Sequence, residues 1–247
     1  MDTKYLQLAA YNNAVWCDTI CRSHNVPGEF HETFWINRQQ TPTYYPNLIT
    51  LSPTVNLDPH QNPTLSSLLS ARREDTVSVK DSFAVLDLTL WGFRQLFAAQ
   101  WIFRQGSSAS SRQEIAGLQW KRIVAEEDLL RWEEAWSPTP LATSSRNRLF
   151  LAPLLHDADI SIVAAYKESQ IVAGAIANKT EGVVGLSNVF TPEGEAERYW
   201  EGLLAEIADS YPALPIVGYE QDESLALALR VGFTSLGSLR VWIKEGK

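Results

Sequence analysis

Apolar positions at helical spacing open the chain. Leu8, Tyr11, Val15 and Thr19, widened by Trp16 and Ile20, predict a first helix that Pro27-Gly28 ends. From Glu32 to Leu51 the pattern shifts to aromatic and β-branched residues: Phe34, Trp35, Ile36, Tyr44, Tyr45, Leu48 and Ile49. Pro42 and Pro46 interrupt it, which predicts two short strands with an irregular link. Asn56–Asn62 reads as a loop and Thr64–Arg72 as a short helix with Leu65, Leu68 and Leu69 inward. Val77–Val79 reads as a strand, Ser82–Leu90 as a helix and Phe97–Phe103 as a strand. Residues 106–117 are rich in serine and read as a linker.

Beyond the linker, Trp120–Val124 predicts a strand and Ala125–Trp136 a helix with Leu129, Trp132 and Trp136 on one face. A Pro, Thr and Ser loop follows over Ser137–Asn147. Ile160–Tyr166 and Ile171–Asn178 flank Lys167-Glu-Ser-Gln170 as a hairpin, and Val183–Thr191 adds a third adjacent strand. Glu195–Ser210 reads as a long amphipathic helix. Pro215–Tyr219, Glu223–Val231 and Leu239–Lys244 then read as strand, helix and strand.

The two halves repeat each other. Asp81, Gly92-Phe93 and Trp101-Ile102 recur 140 or 141 residues later as Asp222, Gly232-Phe233 and Trp242-Ile243. Thr50-Leu-Ser-Pro53 aligns with Val189-Phe-Thr-Pro192, and Leu68-Leu69 with Leu203-Leu204. Ordered agreement of four elements predicts a duplicated unit: residues 1–105, the linker 106–117, and residues 118–247. The first copy is shorter, with no evident counterpart of the strand, helix and hairpin between Trp120 and Asn178.

Composition narrows the function classes. The 247 residues carry a net charge of −8, which argues against a sequence-independent grip on nucleic acid and against an anionic membrane surface. No apolar run reaches the roughly 20 residues of a membrane helix. Asp2 before Lys4 and the polar pair Asn12-Asn13 do not read as a secretory signal. Two cysteines make no disulfide framework and suit a reducing cytoplasm. No GxGxxG or GxxxxGK[ST] loop occurs, and His156-Asp157 lacks a Gly-x-Ser-x-Gly nucleophile.

The second half resembles the GNAT superfamily of acyl-CoA-dependent N-acetyltransferases. The residues that carry the resemblance are the hairpin Ile162–Ala177, the strand ending Ser187-Asn-Val-Phe-Thr-Pro192, the long helix after it, the strand Ile216-Val-Gly-Tyr219 and the turn Ala226-Leu-Ala-Leu-Arg-Val-Gly232-Phe233. Through the repeat, most of the chain is similar to a tandem GNAT-like protein with a divergent, truncated first copy. The resemblance implies an α/β (α+β) fold of two GNAT-like units, each a mixed central sheet flanked by helices. It also implies acetyl-CoA as acyl donor and an amine of a small molecule or peptide as acceptor. A family strand that splays from its neighbour and pairs with pantetheine falls on Asn188, Val189, Phe190 and Thr191. The family's diphosphate loop, at the start of the long helix, falls on Gly194, Glu195, Ala196 and Arg198.

Two positions depart from the family pattern. Bulky residues replace the loop's glycines, and Glu193, Glu195, Glu197 and Glu201 crowd the helix start, where they favour the helix dipole and repel a diphosphate. The Tyr that commonly protonates the leaving thiolate is replaced by Ala228, and by Leu88 in the first copy. Tyr219 and Glu220, at the end of a strand, are the candidate acid and base, with core packing as the plain alternative for Tyr219. A second reading is therefore a catalytically degenerate GNAT-like protein that binds a small ligand in the inter-domain cleft without acetyl transfer.

Cys17, Cys21 and His24 share one helix face, with His31 beyond the turn. The spacing fits no common zinc module, and buried packing or a pocket role remain beside it. Asp18, His31, Trp35, Tyr44, Tyr45 and Asn47 are the candidate acceptor-binding residues, since clefts combine aromatic walls with a few polar groups.

Overall fold

The computed structural model describes residues 3–57, 63–72, 74–107, 117–137 and 148–246. The serine-rich stretch 108–116 and most of the expected loop 137–147 lie outside the described residues. The first half runs α1 (Thr3–Ser23), β1 (Glu29–Phe30), β2 (Phe34–Ile36), β3 (Leu48–Thr50), α2 (Thr64–Ala71), β4 (Val77–Asp81) and β5 (Arg94–Arg104). The second runs β6 (Leu118–Arg122), α3 (Glu126–Trp136), β7 (Ile160–Lys167), β8 (Gln170–Thr180), β9 (Val183–Phe190), α4 (Ala196–Ser210), β10 (Ile216–Glu220), α5 (Asp222–Arg230) and β11 (Thr234–Lys244). None of the described helices is long and apolar enough to cross a membrane.

The chain divides into two compact units, residues 1–101 with 236–247, and residues 102–235. In the first, β1–β2 and β2–β3 pair antiparallel and β3–β4 parallel. The strand beside β4 is β11, antiparallel from Arg240↔Asp81 to Lys244↔Val77. The last strand of the second sequence copy thus completes the first unit, where Trp242 packs with Val77, Val79 and Phe93. Burial drives this placement: Leu239, Val241 and Trp242 are all buried there.

In the second unit, β6–β7, β7–β8 and β8–β9 pair antiparallel, and β9–β10 pair parallel. Nearly every residue of β7 is buried, including its alternate positions, so both faces of this sheet are covered. Trp200, Leu203, Leu204 and Ile207 of α4 pack with Val184, Leu186, Ile216, Ala228 and Phe233.

The repeat recurs in the backbone. Gly92 and Gly232 take φ of 78° and 92°, a region open to glycine. The amide of Phe93 donates to Leu88 O at 3.2 Å, and that of Phe233 to Ala228 O at 3.0 Å. Both phenylalanines are buried, and each turn feeds a strand of 11 residues.

The expected helix over Ser82–Leu90 does not form; only a 3-10 turn at Thr89–Trp91 does. Side chains outcompete the helical bonds. Asp81 Oδ2 accepts from Leu86 N at 2.8 Å, and Asp87 Oδ1 accepts from Thr89 N at 3.0 Å. Strand β1 was not expected from the sequence; two residues carry no period.

The two glycine turns make a matched test. Gly92→Ala and Gly232→Ala are each expected to cost about 1 kcal/mol, because alanine at positive φ is strained. Urea unfolding measures both; a loss at one site alone would contradict their equivalence.

Candidate functional site

Strand β9 changes partners along its length. Its first half is held on both sides, by β8 and by β10, but the pairing with β10 comprises only Val184↔Ile216 and Gly185↔Val217. Gly218 marks the last close approach: a Cβ there would meet Leu186 O at 2.9 Å. Past it, β8 alone keeps β9. Gly174 pairs with Phe190 and Ile176 with Ser187, so β9 carries one residue more than β8 between these pairs. Asn188 takes up the extra residue at φ 54°, a conformation that Asn tolerates better than most residues. Ser187–Phe190 and Gly218–Glu220 are all half-buried, so both strand ends border partly accessible space.

Gly174 also fixes an aromatic wall beside this end of β9. A Cβ on Gly174 would meet Trp132 Nε1 and the Phe190 ring well inside contact distance. The Trp132 and Phe190 rings stand edge-on, with centroids 5.4 Å apart, and Phe150 meets Trp132 at the same distance. Trp132 Nε1 donates to Val163 O at 2.9 Å. Glu133, fully buried on α3, accepts from Leu149 N at 2.6 Å and so ties the chain after residue 147 to this wall. Spacing alone marked Trp132 as core; the glycine inside a strand was the one signal of close approach.

After β9, Gly194 turns the chain at φ 78° with open space around it. Glu195 stands at the N-cap of α4, and no side chain caps the helix. Glu193, Glu195, Glu197 and Arg198 are exposed, while Tyr199 and Trp200 turn into the core and leave the helix start uncovered. Two of the four glutamates have arginine partners: Arg198 lies 3.6 Å from Glu195 and Arg230 lies 3.4 Å from Glu197. These exposed pairs are weak, but they offset part of the negative charge at the helix start.

Glu220 ends β10. It is half-buried, and burial alone pushes its carboxyl up to about 7. Tyr219 precedes it in the same strand, so the two side chains project to opposite faces of the sheet. Ala228 is fully buried, with no phenol at that position.

In the first unit the described strand ends are bridged. β3 and β4 pair at Leu48↔Val79 and Ile49↔Lys80. Beyond these pairs, Ser82 N donates to Thr50 Oγ1 at 2.8 Å and Trp101 Nε1 donates to Ser82 O at 2.7 Å. The first bond bridges the ends of β3 and β4, and the second ties Ser82 to β5.

Among the N-terminal candidates, Asp18 and Asn47 are held by hydrogen bonds to neighbouring structure. Asp18 Oδ1 accepts from Gly28 N at 2.9 Å and from Trp35 Nε1 at 3.0 Å, and Arg22 pairs with Oδ2. Asn47 Oδ1 accepts from Ser78 N at 3.1 Å, and its amide donates to Gln39 O at 3.3 Å. Asp18, Trp35, Tyr45 and Asn47 are buried, whereas Tyr44 is 80 % exposed and His31 stacks on Phe34 near the surface. Cys17 and Cys21 are buried free thiols, pushed up to about 11 and about 12, chiefly by burial. They remain protonated near neutrality, which suits packing. Among the described residues no group of three or more His, Cys, Asp or Glu could hold a metal ion.

The Glu220 carboxyl gives a test with a definite sign. Its folded value, about 7, lies above the value of 4.5 for a free glutamate. Between these, the folded state binds the extra proton, so stability falls as pH rises from about 4.5 to 7 and levels off above. Glu220→Gln is expected to raise the melting temperature at pH 8.5 and leave it nearly unchanged at pH 4.5. An equal effect at both pH values would contradict the burial.

No family model and no curated protein matches the sequence. Solved structures do match. A GCN5-related N-acetyltransferase from Kribbella flavida superposes with a TM-score of 0.67 at 14% identity, over 97% of this chain and 96% of that one. A GNAT-family protein from Novosphingobium aromaticivorans gives 0.57 at 12% identity, over 96% and 99% of the two chains. A tandem GNAT protein from the clavulanic acid biosynthesis pathway gives 0.56 at 12% identity, over 86% and 82%. The chain therefore has the GNAT fold, built as two GNAT-like units, each a mixed sheet flanked by helices.

Proposed function

We propose that the second unit is an acetyl-CoA-dependent N-acetyltransferase acting on an amine of a small molecule or peptide. The observation that carries this reading is the separation of β9 from β10 at the Asn188 bulge, directly before an uncapped, exposed helix start. Backbone groups of Asn188, Val189, Phe190 and Thr191, released from β10, would hold the pantetheine amides. Backbone N–H groups from Gly194 to Arg198 would receive the diphosphate, aided by the Arg198 side chain. Acetyl-coenzyme A would supply the acyl group as a thioester, whose C–S bond breaks as the amine's C–N bond forms.

Glu220 accepts the proton that the amine must lose. A carboxyl near 7 is matched to that task at neutral pH. A backbone N–H of the separated strand polarises the thioester carbonyl. Tyr219 lies on the opposite face from Glu220 and does not share its cleft, so protonation of the leaving thiolate falls to solvent. On this reading, with both cysteines reduced, we place the protein in the cytoplasm.

Calorimetric titration of acetyl-CoA, followed by thiol release with a panel of amines, tests the proposal. Saturable binding is expected, weakened about tenfold or more by Arg198→Glu through loss of a phosphate partner. Turnover is expected to rise with pH through about 7 and to fall at least about 100-fold in Glu220→Gln. No binding at millimolar acetyl-CoA would overturn the proposal, and binding indifferent to Arg198→Glu would overturn the diphosphate placement. The absence of a phenol at Ala228 favours a second reading, a ligand-binding protein without acetyl transfer. A folded protein that does not bind acetyl-CoA at millimolar concentration would support it.

A further inference from the structure

The first unit holds a cavity of about 350 Å³ between the end of α2, the start of β4 and the end of β11. Leu69 and Val77 line it with Arg72, Asp75, Lys244 and Glu245. Arg72 is 7% exposed, and its guanidinium carries five N–H donors. Its one acidic partner among the described residues is Asp75, 3.4 Å away, and its Nε is buried with no hydrogen-bond partner. A buried guanidinium so sparsely bonded is costly unless something else takes its donors.

The charges around it are unequal in what they have left to give. Glu245 is held by Arg94 at 3.0 Å. Lys244 donates to Trp91 O at 2.6 Å and keeps two further N–H donors. With Glu245 taken by Arg94, Arg72 and Lys244 share one carboxylate, the Arg72 partner Asp75, which leaves the cavity with one positive charge in excess. A planar guanidinium fork matches a carboxylate, and the cavity volume suits a ligand of few atoms.

We propose that this cavity binds a small monocarboxylate with an apolar tail. The carboxylate takes the Arg72 fork, and the tail lies against Leu69 and Val77. Asp75 disfavours a dianion such as a phosphate monoester by like-charge repulsion. The site belongs to the first unit and does not depend on the acetyl-transfer reading.

The test is calorimetry on the full chain with hexanoate, hexanamide and inorganic phosphate as probes. Hexanoate is expected to bind saturably, with hexanamide about tenfold weaker or more for loss of the charge-assisted bonds. Phosphate is expected to bind more weakly than hexanoate. Arg72→Met is expected to remove hexanoate binding while leaving the melting temperature intact or raised, since replacing an incompletely paired buried charge by an apolar side chain is often neutral or stabilising. Asp75→Asn, which frees Arg72 and removes the opposing charge, is expected to tighten hexanoate several-fold. This gain survives as a test should Arg72→Met fail to fold. No saturable hexanoate binding, equal binding of the amide, phosphate as tight as hexanoate, or no gain in Asp75→Asn would each overturn the proposal.

Discussion

Between its pairs Ser187↔Ile176 and Phe190↔Gly174, strand β9 accommodates one residue more than the strand beside it. The rest of the second unit is organised by that excess. A bulge bends its strand and increases the local twist, and β9 can follow only one neighbour past it. It stays with β8, because Gly174 lets the Phe190 ring and Trp132 close over the pairing. It parts from β10 after Gly185↔Val217. The parting exposes backbone groups, leaves Glu220 at the end of a strand with one flank open, and delivers the chain to an uncapped helix start. Burial sufficient to move a carboxyl to about 7, without closing it off, is a consequence of that half-open geometry.

The first unit shows the same chain path without the opening. Its parallel pair, its glycine turn and its long following strand repeat those of the second unit. Where the second unit separates its strands, the first joins them through Thr50 and Ser82. Asp81, at the end of β4, is fully buried, and burial raises its carboxyl. The first unit thus bridges its strand ends where the second keeps them apart. The placement of β11 against β4 in the first unit adds a constraint: the last strand of the second sequence copy buries Leu239, Val241 and Trp242 in the first unit.

Elements with a long, regular period were legible from the sequence. The hairpin β7–β8 and helices α3 and α4 fall within a few residues of their expected bounds, and α1 forms around its expected stripe, because each buries a stripe that its spacing announces. Ser82–Leu90 misled, since Asp81 and Asp87 spend their carboxylates on backbone amides that a helix would need. The Gly-Phe turns made the repeat legible, because positive φ restricts the residue choice there. Polar function was harder to read. Asp18 and Asn47 resemble pocket residues in sequence, and only their hydrogen bonds to Trp35, Gly28, Ser78 and Gln39 reveal structural duty. Glu220 could be singled out by its place at a strand end, but its half-burial depends on partners distant in sequence. The family resemblance placed a splayed strand at Asn188–Thr191, but the bulge itself could not be read from the residues, since an asparagine within an apolar strand is compatible with either backbone conformation.

Hydrogen–deuterium exchange of the full chain, with and without acetyl-CoA, tests the central claim most directly. Amides in the separated strand and the helix start, residues 186–198, with those of 218–221, are expected to gain protection on binding. Residues 48–52 and 81–86, the joined counterpart in the first unit, are expected not to change. Protection gained at the first unit's strands, or bound ligand with no protection between 186 and 198, would contradict the assignment of the cleft.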